Sequence, residues 1–561
     1  MSSSKEYYEE AINYCKEGQF QKALEVLKKV IELDKDNLDA YLLSGDINFE
    51  LNENEEAIEC YNKAIELDNN NSYAYNSRGL AKYNLRLYEE AIEDFDKAIE
   101  LEPNNSNYYR YRGNAKYDSG LYPKPVRLGD YDSEASKKES MRLYKEAVKD
   151  YNKAIELDPN NIYSYNKRGD AKYDLGLYEE AIKDYDKVIE LDSDYSYMYY
   201  CRGNAKNNLG LYKEAVKDYD KAVELDPDNT DYYIKRGESK KDLGLYKEAV
   251  RDYLKAIELE SDNTKAYESI IEVYDKVIGL YPNNIKFYKR RGKIKLYLGQ
   301  YAGAIMDFNK IIELDSNDID SYNKRGVSKR NLGLHKEAMK DFNKIIDLDA
   351  NYSDVYKNIG NIKTDLGLYK EAMEYFKRAF EINHDKTYIR FIEAMQCNID
   401  LLERDINEYN EAVKLNPNDI DIYINRAGAE NSLGLYKEAI EDYDKAIELN
   451  PNNSVVYIKR GDIKNYLGLY KEAIEDYNKS IELNSDYSDA YIKRGESKNS
   501  LGLYKEAIED YDKAIELNCY NGNAYSGRGE AKENLGMHED AVKDYDKAIE
   551  LNSNIDYLDA V

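Results

Sequence analysis

Eleven arginines of this chain are each followed, at a regular distance, by an aspartate. The spacing is sixteen residues in ten cases, as in Arg236 and Asp252, and it is longer only between Arg112 and Asp150. A guanidinium and a carboxylate make two parallel charge-assisted hydrogen bonds, so these residue types suit ion pairing. The pairs are Arg78 with Asp94, Arg112 with Asp150, Arg168 with Asp184, Arg202 with Asp218, Arg236 with Asp252, Arg291 with Asp307, Arg325 with Asp341, Arg426 with Asp442, Arg460 with Asp476, Arg494 with Asp510 and Arg528 with Asp544.

Residues that suit catalysis are scattered. The three histidines are His335, His384 and His538, and no cysteine-histidine cluster has the spacing of metal ligands. Many carboxylates have a lysine four residues further on, as Glu179 has Lys183, which is typical of a solvated helix face. The sequence therefore predicts no catalytic residues, no metal and no cofactor, and we expect a protein that is not an enzyme.

The elements that position the charged residues follow a strict repeat. Leu-Gly-Leu-Tyr occurs seven times, and neighbouring copies within a block lie 34 residues apart. A fixed period of this length indicates an array of one small supersecondary unit. An array also suits a chain of 561 residues, which is too long for a single core, because each repeat buries its apolar face only against its neighbours.

Each repeat reads as two helices. Two apolar-periodic stretches are separated by a short break, usually with a glycine, and closed by Asp, Asn or Pro. The fourth position is tyrosine, the eighth small, the twentieth and twenty-seventh mostly alanine, the twenty-fourth aromatic and the thirty-second often proline. The complete repeats begin at Ser4, Leu38, Ser72, Ser106, Ile162, Ser196, Thr230, Ile285, Ile319, Ser353, Ile420, Ser454, Ser488 and Gly522.

This pattern resembles the tetratricopeptide repeat family over essentially the whole chain. Two positions depart from the family pattern, because the usual leucine at the seventh is mostly arginine and the usual tyrosine at the eleventh is mostly lysine. The resemblance implies an all-α fold, a right-handed superhelical solenoid of antiparallel helix pairs with about sixteen 34-residue repeats.

The seventh and twenty-third positions change together. Where the seventh is not arginine, as at Glu10, Ser44, Ile359 and Ile392, the twenty-third is not aspartate. We therefore expect partly buried ion pairs between the two helices of a repeat, with an arginine-lined binding groove as the alternative. Representative structural pairs are Arg168–Asp184, Arg236–Asp252 and Arg460–Asp476.

The period fails in three places, and these divide the chain. The predicted organisation is an N-terminal repeat block 4–263 with an inserted segment 123–144, a truncated repeat 264–284 expected to kink the array, a central block 285–386, a degenerate repeat 387–419, a C-terminal block 420–555 and an open end 556–561. We expect the insert to extend the second helix of its repeat, which carries Lys137, Lys138, Arg142 and Lys145. The apolar side chains of 387–419 form either a local core or an exposed face for a partner.

Composition limits the partners. The net charge of −29 argues against nucleic acid, because phosphate binding needs a basic surface. No apolar run is long enough to cross a bilayer, and no secretory signal is visible at the start. The five scattered cysteines resemble reduced core residues, so we expect a cytoplasmic protein without membrane contact.

The resemblance also implies a binding mode. Family members bind an extended peptide or helix along a concave wall of first helices, mainly through positions 2, 5, 9, 12 and 13. Lys357 and Asn361 resemble part of a carboxylate clamp, but Phe391 stands where a polar residue is needed. The candidate partner-binding residues are a basic set, Lys286, Lys289, Lys293, Asn323, Arg330, Lys357 and Asn361, and an aromatic set, Tyr163, Tyr173, Tyr197 and Tyr200. Tyr117 belongs to the same aromatic region, for which compositional bias is the alternative explanation, since the chain has 60 tyrosines.

These features favour a non-catalytic scaffold for protein–protein interaction that binds its partner in the concave groove. Two alternatives remain at this point. One is a structural rod that self-associates through the uncapped C-terminal end, and the other is the recognition arm of a separate catalytic chain.

Overall fold

The computed structural model of the protein describes residues 4–122 and 134–555. These residues form thirty α-helices and contain no strand. They belong to two compact units, an N-terminal unit Met1–Ser269 and a C-terminal unit Ile270–Val561. Short turns join most helices into antiparallel pairs, which confirms the all-α repeat architecture.

The N-terminal unit contains seven helix pairs and the start of a single helix, α15, within which the boundary between the two units falls. The helices are α1 (Ser4–Lys16), α2 (Phe20–Leu33), α3 (Leu38–Glu50), α4 (Asn54–Leu67), α5 (Ser72–Asn84), α6 (Tyr88–Leu101), α7 (Ser106–Leu121), α8 (Glu134–Leu157), α9 (Ile162–Asp174), α10 (Tyr178–Leu191), α11 (Ser196–Asn208), α12 (Tyr212–Leu225), α13 (Thr230–Asp242), α14 (Tyr246–Leu259) and α15 (Thr264–Leu280).

The C-terminal unit continues with three pairs, one long single helix and four further pairs. These helices are α16 (Ile285–Tyr297), α17 (Tyr301–Leu314), α18 (Ile319–Asn331), α19 (His335–Leu348), α20 (Ser353–Asp365), α21 (Tyr369–Asn383), α22 (Thr387–Leu415), α23 (Ile420–Ser432), α24 (Tyr436–Leu449), α25 (Ser454–Tyr466), α26 (Tyr470–Leu483), α27 (Ser488–Ser500), α28 (Tyr504–Leu517), α29 (Gly522–Asn534) and α30 (His538–Ile555).

Apart from α7 and α8, whose connection is not described, the turn inside each pair depends on one residue in the left-handed conformation. Gly244 has φ +74° just after α13, and the N–H of Leu245 donates to the carbonyl of Lys240 at 2.9 Å. This bond satisfies a carbonyl at the helix end, and glycine adopts the conformation without a Cβ penalty. The Leu-Gly-Leu-Tyr segment is therefore a helix stop followed by a helix start.

In twelve of the fourteen described pairs, an aromatic ring at the core packs against a glycine. The ring of Tyr219 at the twenty-fourth position is fully buried, and it lies against Gly203 at the eighth position of the partner helix. Ala215 and Ala222 are also fully buried at the twentieth and twenty-seventh positions. The small residues let the two helices approach closely enough for the ring to fill the space between them.

This packing predicts the effect of adding one methyl group. A Cβ built on Gly203 would lie 2.7 Å from Cε1 of Tyr219, so we expect Gly203→Ala to lower the free energy of unfolding by about 1–3 kcal/mol. Urea denaturation followed by circular dichroism measures the change. Gly279→Ala in α15 is the matched control, because its Cβ meets nothing within 4 Å and should stabilise by up to about 1 kcal/mol. Equal effects of the two substitutions would contradict this packing.

Two irregular segments have a definite structure. Residues 264–284 contain the single helix α15, and residues 387–419 contain α22, one continuous helix of 29 residues. In α22, Met395 and Ile399 are buried, whereas Phe391 and Leu401 are exposed. The apolar side chains of the degenerate repeat are thus divided between core and surface. The expected kink at 264–284 stays a prediction.

Two other predictions fall partly outside the described residues. The insert 123–144 overlaps the start of α8, which is 24 residues long whereas its counterpart α10 has 14, but residues 123–133 are not described. The open end 556–561 also lies outside the described residues.

The expectation that the cysteines are core residues was wrong for two of the five, because Cys397 and Cys519 are exposed. Within residues 4–122 and 134–555, no helix is both long and apolar enough to cross a membrane.

Candidate functional site

In the eleven repeats that carry them, the arginine and aspartate side chains meet between the two helices of the repeat. Nε of Arg236 donates to Asp252 Oδ2 at 3.0 Å, and Nη2 donates to Oδ1 at 2.7 Å. The Asp252 side chain is only 7% exposed. The same bidentate arrangement joins Arg168 to Asp184 and Arg460 to Asp476. All eleven pairs are in hydrogen-bond contact.

Each arginine also reaches the preceding helix. Nη1 of Arg236 donates to Asp220 Oδ1 at 2.8 Å, and its guanidinium carbon lies 5.3 Å from the centre of the Tyr233 ring. The acceptors in the successive repeats are Asn62, Asp96, Asn152, Asp186, Asp220, Asp275, Asn309, Asn410, Asp444, Asn478 and Asp512. The ion pairs therefore connect neighbouring repeats as well as the two helices of one repeat.

A lysine completes the network. Nζ of Lys240 lies 2.7 Å from Asp252 Oδ2, so one buried carboxylate balances two cations. Ten of the eleven repeats place lysine at this eleventh position, and the exception is Glu430 beside Asp442. Sequence reasoning noted these lysines only as a departure from the family pattern. The sequence could have indicated their role, because lysine at the eleventh position occurs together with arginine at the seventh.

The basic candidate set is largely paired with carboxylates. Nζ of Lys289 lies 3.0 Å from Asp318 and 3.1 Å from Asp320. Lys293 lies 3.3 Å from Asp320, and Arg330 donates two hydrogen bonds to Asp365. The set therefore forms a network of mixed charge rather than an uncompensated basic patch.

The remaining members of that set are differently placed. The Asn323 amide accepts a hydrogen bond from Asn358 at 2.7 Å and donates to the Tyr352 hydroxyl at 3.3 Å. Lys286 is exposed, while Lys357 and Asn361 are half-buried.

The aromatic candidate set forms part of a continuous surface. The ring of Tyr197, 43% exposed, stacks on Tyr200 at 5.9 Å, and Tyr200 lies 5.1 Å from Tyr232. Tyr163 is 70% exposed, and its ring lies 5.8 Å from the Arg110 guanidinium. Exposed rings at this spacing present flat apolar faces and negative π-surfaces to a ligand.

Aspartates that sequence reasoning missed lie among these tyrosines. The Tyr117 hydroxyl donates to Asp174 at 2.6 Å, and the Tyr83 hydroxyl donates to Asp118. In the next repeat, Asn208 donates to the Tyr173 hydroxyl at 2.8 Å. These bonds connect the twelfth position of one repeat to the thirteenth of the next. The sequence feature that could have revealed them is the recurrence of Asp or Asn at the thirteenth position, one residue after the tyrosine.

Another carboxylate, Asp170, accepts from the hydroxyl of Tyr185 at 3.1 Å. Burial raises the pKa of Asp170 and of Asp174 above the usual range of an aspartate. We call this surface the tyrosine–aspartate face, made of Tyr83, Tyr117, Asp118, Tyr163, Asp170, Tyr173, Asp174, Tyr197 and Tyr200. Lys167 lies 3.5 Å from Asp170 and Arg110 lies against Tyr163, so the three aspartates of the face exceed these two cations by one.

Comparison with family models matches most of the chain. The longest stretches without a match are 106–143, 264–284 and 387–419. Models described as TPR repeat match residues 45–85, 144–176, 169–210 and 461–502, and models described as tetratricopeptide repeat match residues 10–41, 72–105, 196–229, 230–263, 285–318, 319–352, 353–386, 420–453, 488–518 and 522–555.

Solved structures match parts of the chain at low identity. YrrB, a TPR protein with an unusual peptide-binding site, is 23% identical over 39% of this chain and 99% of its own, with a TM-score of 0.32. The C-terminal part of a TPR repeat-containing protein from Cytophaga hutchinsonii is 22% identical over 50% of this chain and 97% of its own, with a TM-score of 0.36.

Naa15/Naa10 bound to HypK-THB is 12% identical over 97% of this chain and 99% of the matched chain, with a TM-score of 0.34. No curated protein matches the chain. The repeat models, which together span more than half of the residues, assign the family: the chain belongs to the tetratricopeptide repeat family.

Proposed function

We propose that this protein is an interaction scaffold whose N-terminal unit binds an extended peptide rich in arginine or lysine along the tyrosine–aspartate face. Tetratricopeptide repeat proteins in general bind protein partners. The finer proposal concerns where the peptide binds and which residues recognise it.

The observation that carries the proposal is the alternation of exposed rings and carboxylates. Tyr163 and Tyr197 present exposed rings, and Asp170 and Asp174 lie on the same face. A carboxylate has two oxygens that accept several hydrogen bonds, so a bond from one tyrosine leaves capacity for a ligand donor. A guanidinium or ammonium can therefore stack on a ring while it donates to a neighbouring carboxylate.

Charge and rigidity support the same partner. The net charge of −29 attracts basic segments and speeds their association. Hydrogen bonds hold the hydroxyls of Tyr117 and Tyr173 in place, so these rings lose little conformational entropy when a peptide binds.

An array of short synthetic peptides tests the proposal. Each arginine-rich peptide has two counterparts, in which glutamine or glutamate replaces every arginine. We expect the full chain to prefer the arginine peptides, with affinity falling as salt rises. Replacing both exposed rings in Tyr163→Ala/Tyr197→Ala should weaken binding about tenfold.

The matched control is Tyr520→Ala, which removes a ring that is 75% exposed in the C-terminal unit. Its affinity should equal that of the wild type. The proposal fails if the three peptide series bind equally, or if Tyr520→Ala weakens binding as much as the double substitution.

A further inference from the structure

In the C-terminal unit, one helix of the central block lies against repeats that are much further along the chain. Nζ of Lys340 on α19 is 2.7 Å from Glu530 Oε1 on α29, and Nζ of Lys336 is 3.7 Å from Glu496 Oε2 on α27. Between these lysines, Glu337 Oε1 accepts a hydrogen bond from the Ser526 hydroxyl at 2.7 Å. One exposed turn of α19 thus contacts two successive repeats.

The two carboxylates that receive these lysines, Glu496 and Glu530, occupy equivalent places in their repeats, and Asp462 occupies the same place in the repeat before them. Asp462, Glu496 and Glu530 are each the ninth residue of their repeat, on the first helices α25, α27 and α29. First helices stack side by side in a repeat array, so the three carboxylates form an acidic row. Lysines four residues apart lie on one face of a helix, where both can reach the same row.

A second set of contacts holds the same parts together. Glu371 Oε1 on α21 accepts from the hydroxyls of Tyr436 and Tyr466, each at 2.7 Å, and Glu371 Oε2 lies 2.9 Å from Nζ of Lys363. Helix α17 also touches α30, the last described helix of the unit. The central repeats therefore contact the C-terminal repeats at several separate points.

A cavity of about 800 Å³ remains between the two parts. Its wall is strongly charged and includes Lys363, Lys459, Asp462, Lys493, Glu496 and Glu530. Charged side chains of both signs make these contacts between the central and the C-terminal repeats, whereas inside a repeat buried rings and alanines also pack together. Contacts of this kind are weaker than a packed core and open more easily.

We infer that the first-helix surface of residues 454–555 is a docking site for a helix with lysines one turn apart, and that α19 of the same chain occupies it. The site is therefore closed by the protein itself. A partner helix with a Lys-x-x-x-Lys face binds there only after it displaces α19. This site is distinct from the tyrosine–aspartate face of the N-terminal unit.

Carbodiimide cross-linking of the full chain tests whether α19 of the same chain occupies the surface. The reagent activates the Glu530 carboxyl, Nζ of Lys340 attacks it, an amide bond forms and the reagent leaves as a urea. We expect a Lys340–Glu530 link in the monomer fraction, and the Lys289–Asp318 pair at 3.0 Å is the positive control. In a mixture of unlabelled and ¹⁵N-labelled chains, every Lys340–Glu530 link should join residues of one label.

The inference is wrong if the Lys340–Glu530 link is absent while the control link forms. It is also wrong if the link joins chains of different label, because α19 of a second copy would then occupy the surface. The charge-swapped variant Lys340→Glu/Glu530→Lys should form the reversed link. Loss of linkage in that variant would also count against the pairing.

Binding of a peptide with the α19 sequence, residues 333–349, tests the closure. We expect the Lys336→Glu/Lys340→Glu chain to bind this fluorescent peptide at least tenfold more tightly than the wild type, because its own α19 no longer competes. Lys344→Glu, at an exposed position of the same helix, is the matched control and should behave as the wild type. Equal affinity of all three chains would show that the surface is not closed by α19.

Discussion

Asp252→Leu is expected to lower the free energy of unfolding of the N-terminal unit by about 3–5 kcal/mol. The substitution removes a buried carboxylate that accepts from Arg236 and Lys240, whose side chains are only 14% and 16% exposed. Two cations would then lie between the helices without their shared anion. Urea denaturation followed by circular dichroism measures the loss, and hydrogen exchange shows whether it is centred on α13 and α14.

Two further variants separate the ion pair from the space it fills. Arg236→Leu should cost less than Asp252→Leu, because Lys240 still neutralises the aspartate. The double variant Arg236→Leu/Asp252→Leu should recover part of the loss, since burying an ion pair is itself costly. Lys255→Leu, which breaks an exposed pair with Glu258, should change stability by less than about 0.5 kcal/mol. An Arg236→Leu chain as stable as the wild type would contradict a structural role for these pairs.

Stability near neutral pH is expected to depend on Glu430, the exception among the lysines of the network. Burial and the neighbouring Asp442 raise the pKa of the Glu430 carboxyl to about 7. The folded-state pKa lies above that of an unfolded glutamate, so the unfolded chain releases this proton first as pH rises. The contribution of Glu430 to stability is therefore complete below about pH 4.5 and is lost as pH rises to about 7.

Glu430→Gln isolates this effect, because glutamine resembles the protonated acid at every pH. We expect the two chains to be similarly stable near pH 5 and the variant to be more stable at pH 8, by about 1–3 kcal/mol. Glu430→Lys, which restores the residue found in the other repeats, should also stabilise at pH 8. A difference between wild type and Glu430→Gln that does not change between pH 5 and pH 8 would contradict the raised pKa.

Internal repetition explains why the ion pairs were predictable. Arg236 and Asp252 recur with the same spacing in other repeats, and both are replaced together where the pattern fails, as at Ser44 and Cys60. Residues that change together in this way are expected to touch. The fourteen complete repeats thus serve as an alignment within one sequence.

The same comparison missed partners that belong to the neighbouring repeat. Asp220 and Asp174 accept from Arg236 and Tyr117, which lie in the following and in the preceding repeat, respectively. An alignment of single repeats compares positions within a repeat and does not show which side chains meet across the junction. Asp220 also lies sixteen residues from Arg236, and this spacing could have indicated the contact.

The closure of the C-terminal unit was beyond sequence reasoning. Lys340 and Glu530 are 190 residues apart, and their meeting depends on the path of every helix between them. That path includes α22, whose single long helix replaces a pair. Small rotations between successive helices accumulate along an array, and the residues at one junction do not determine their sum.

Hydrogen–deuterium exchange with a bound arginine-rich peptide tests the proposed function most directly. The account predicts that the peptide slows exchange in the first helices α7, α9 and α11, which carry most of the tyrosine–aspartate face, and leaves the second helices α10 and α12 unchanged. The glutamate counterpart of the peptide should protect neither set. Protection confined to the C-terminal unit, or equal protection by both peptides, would contradict the account.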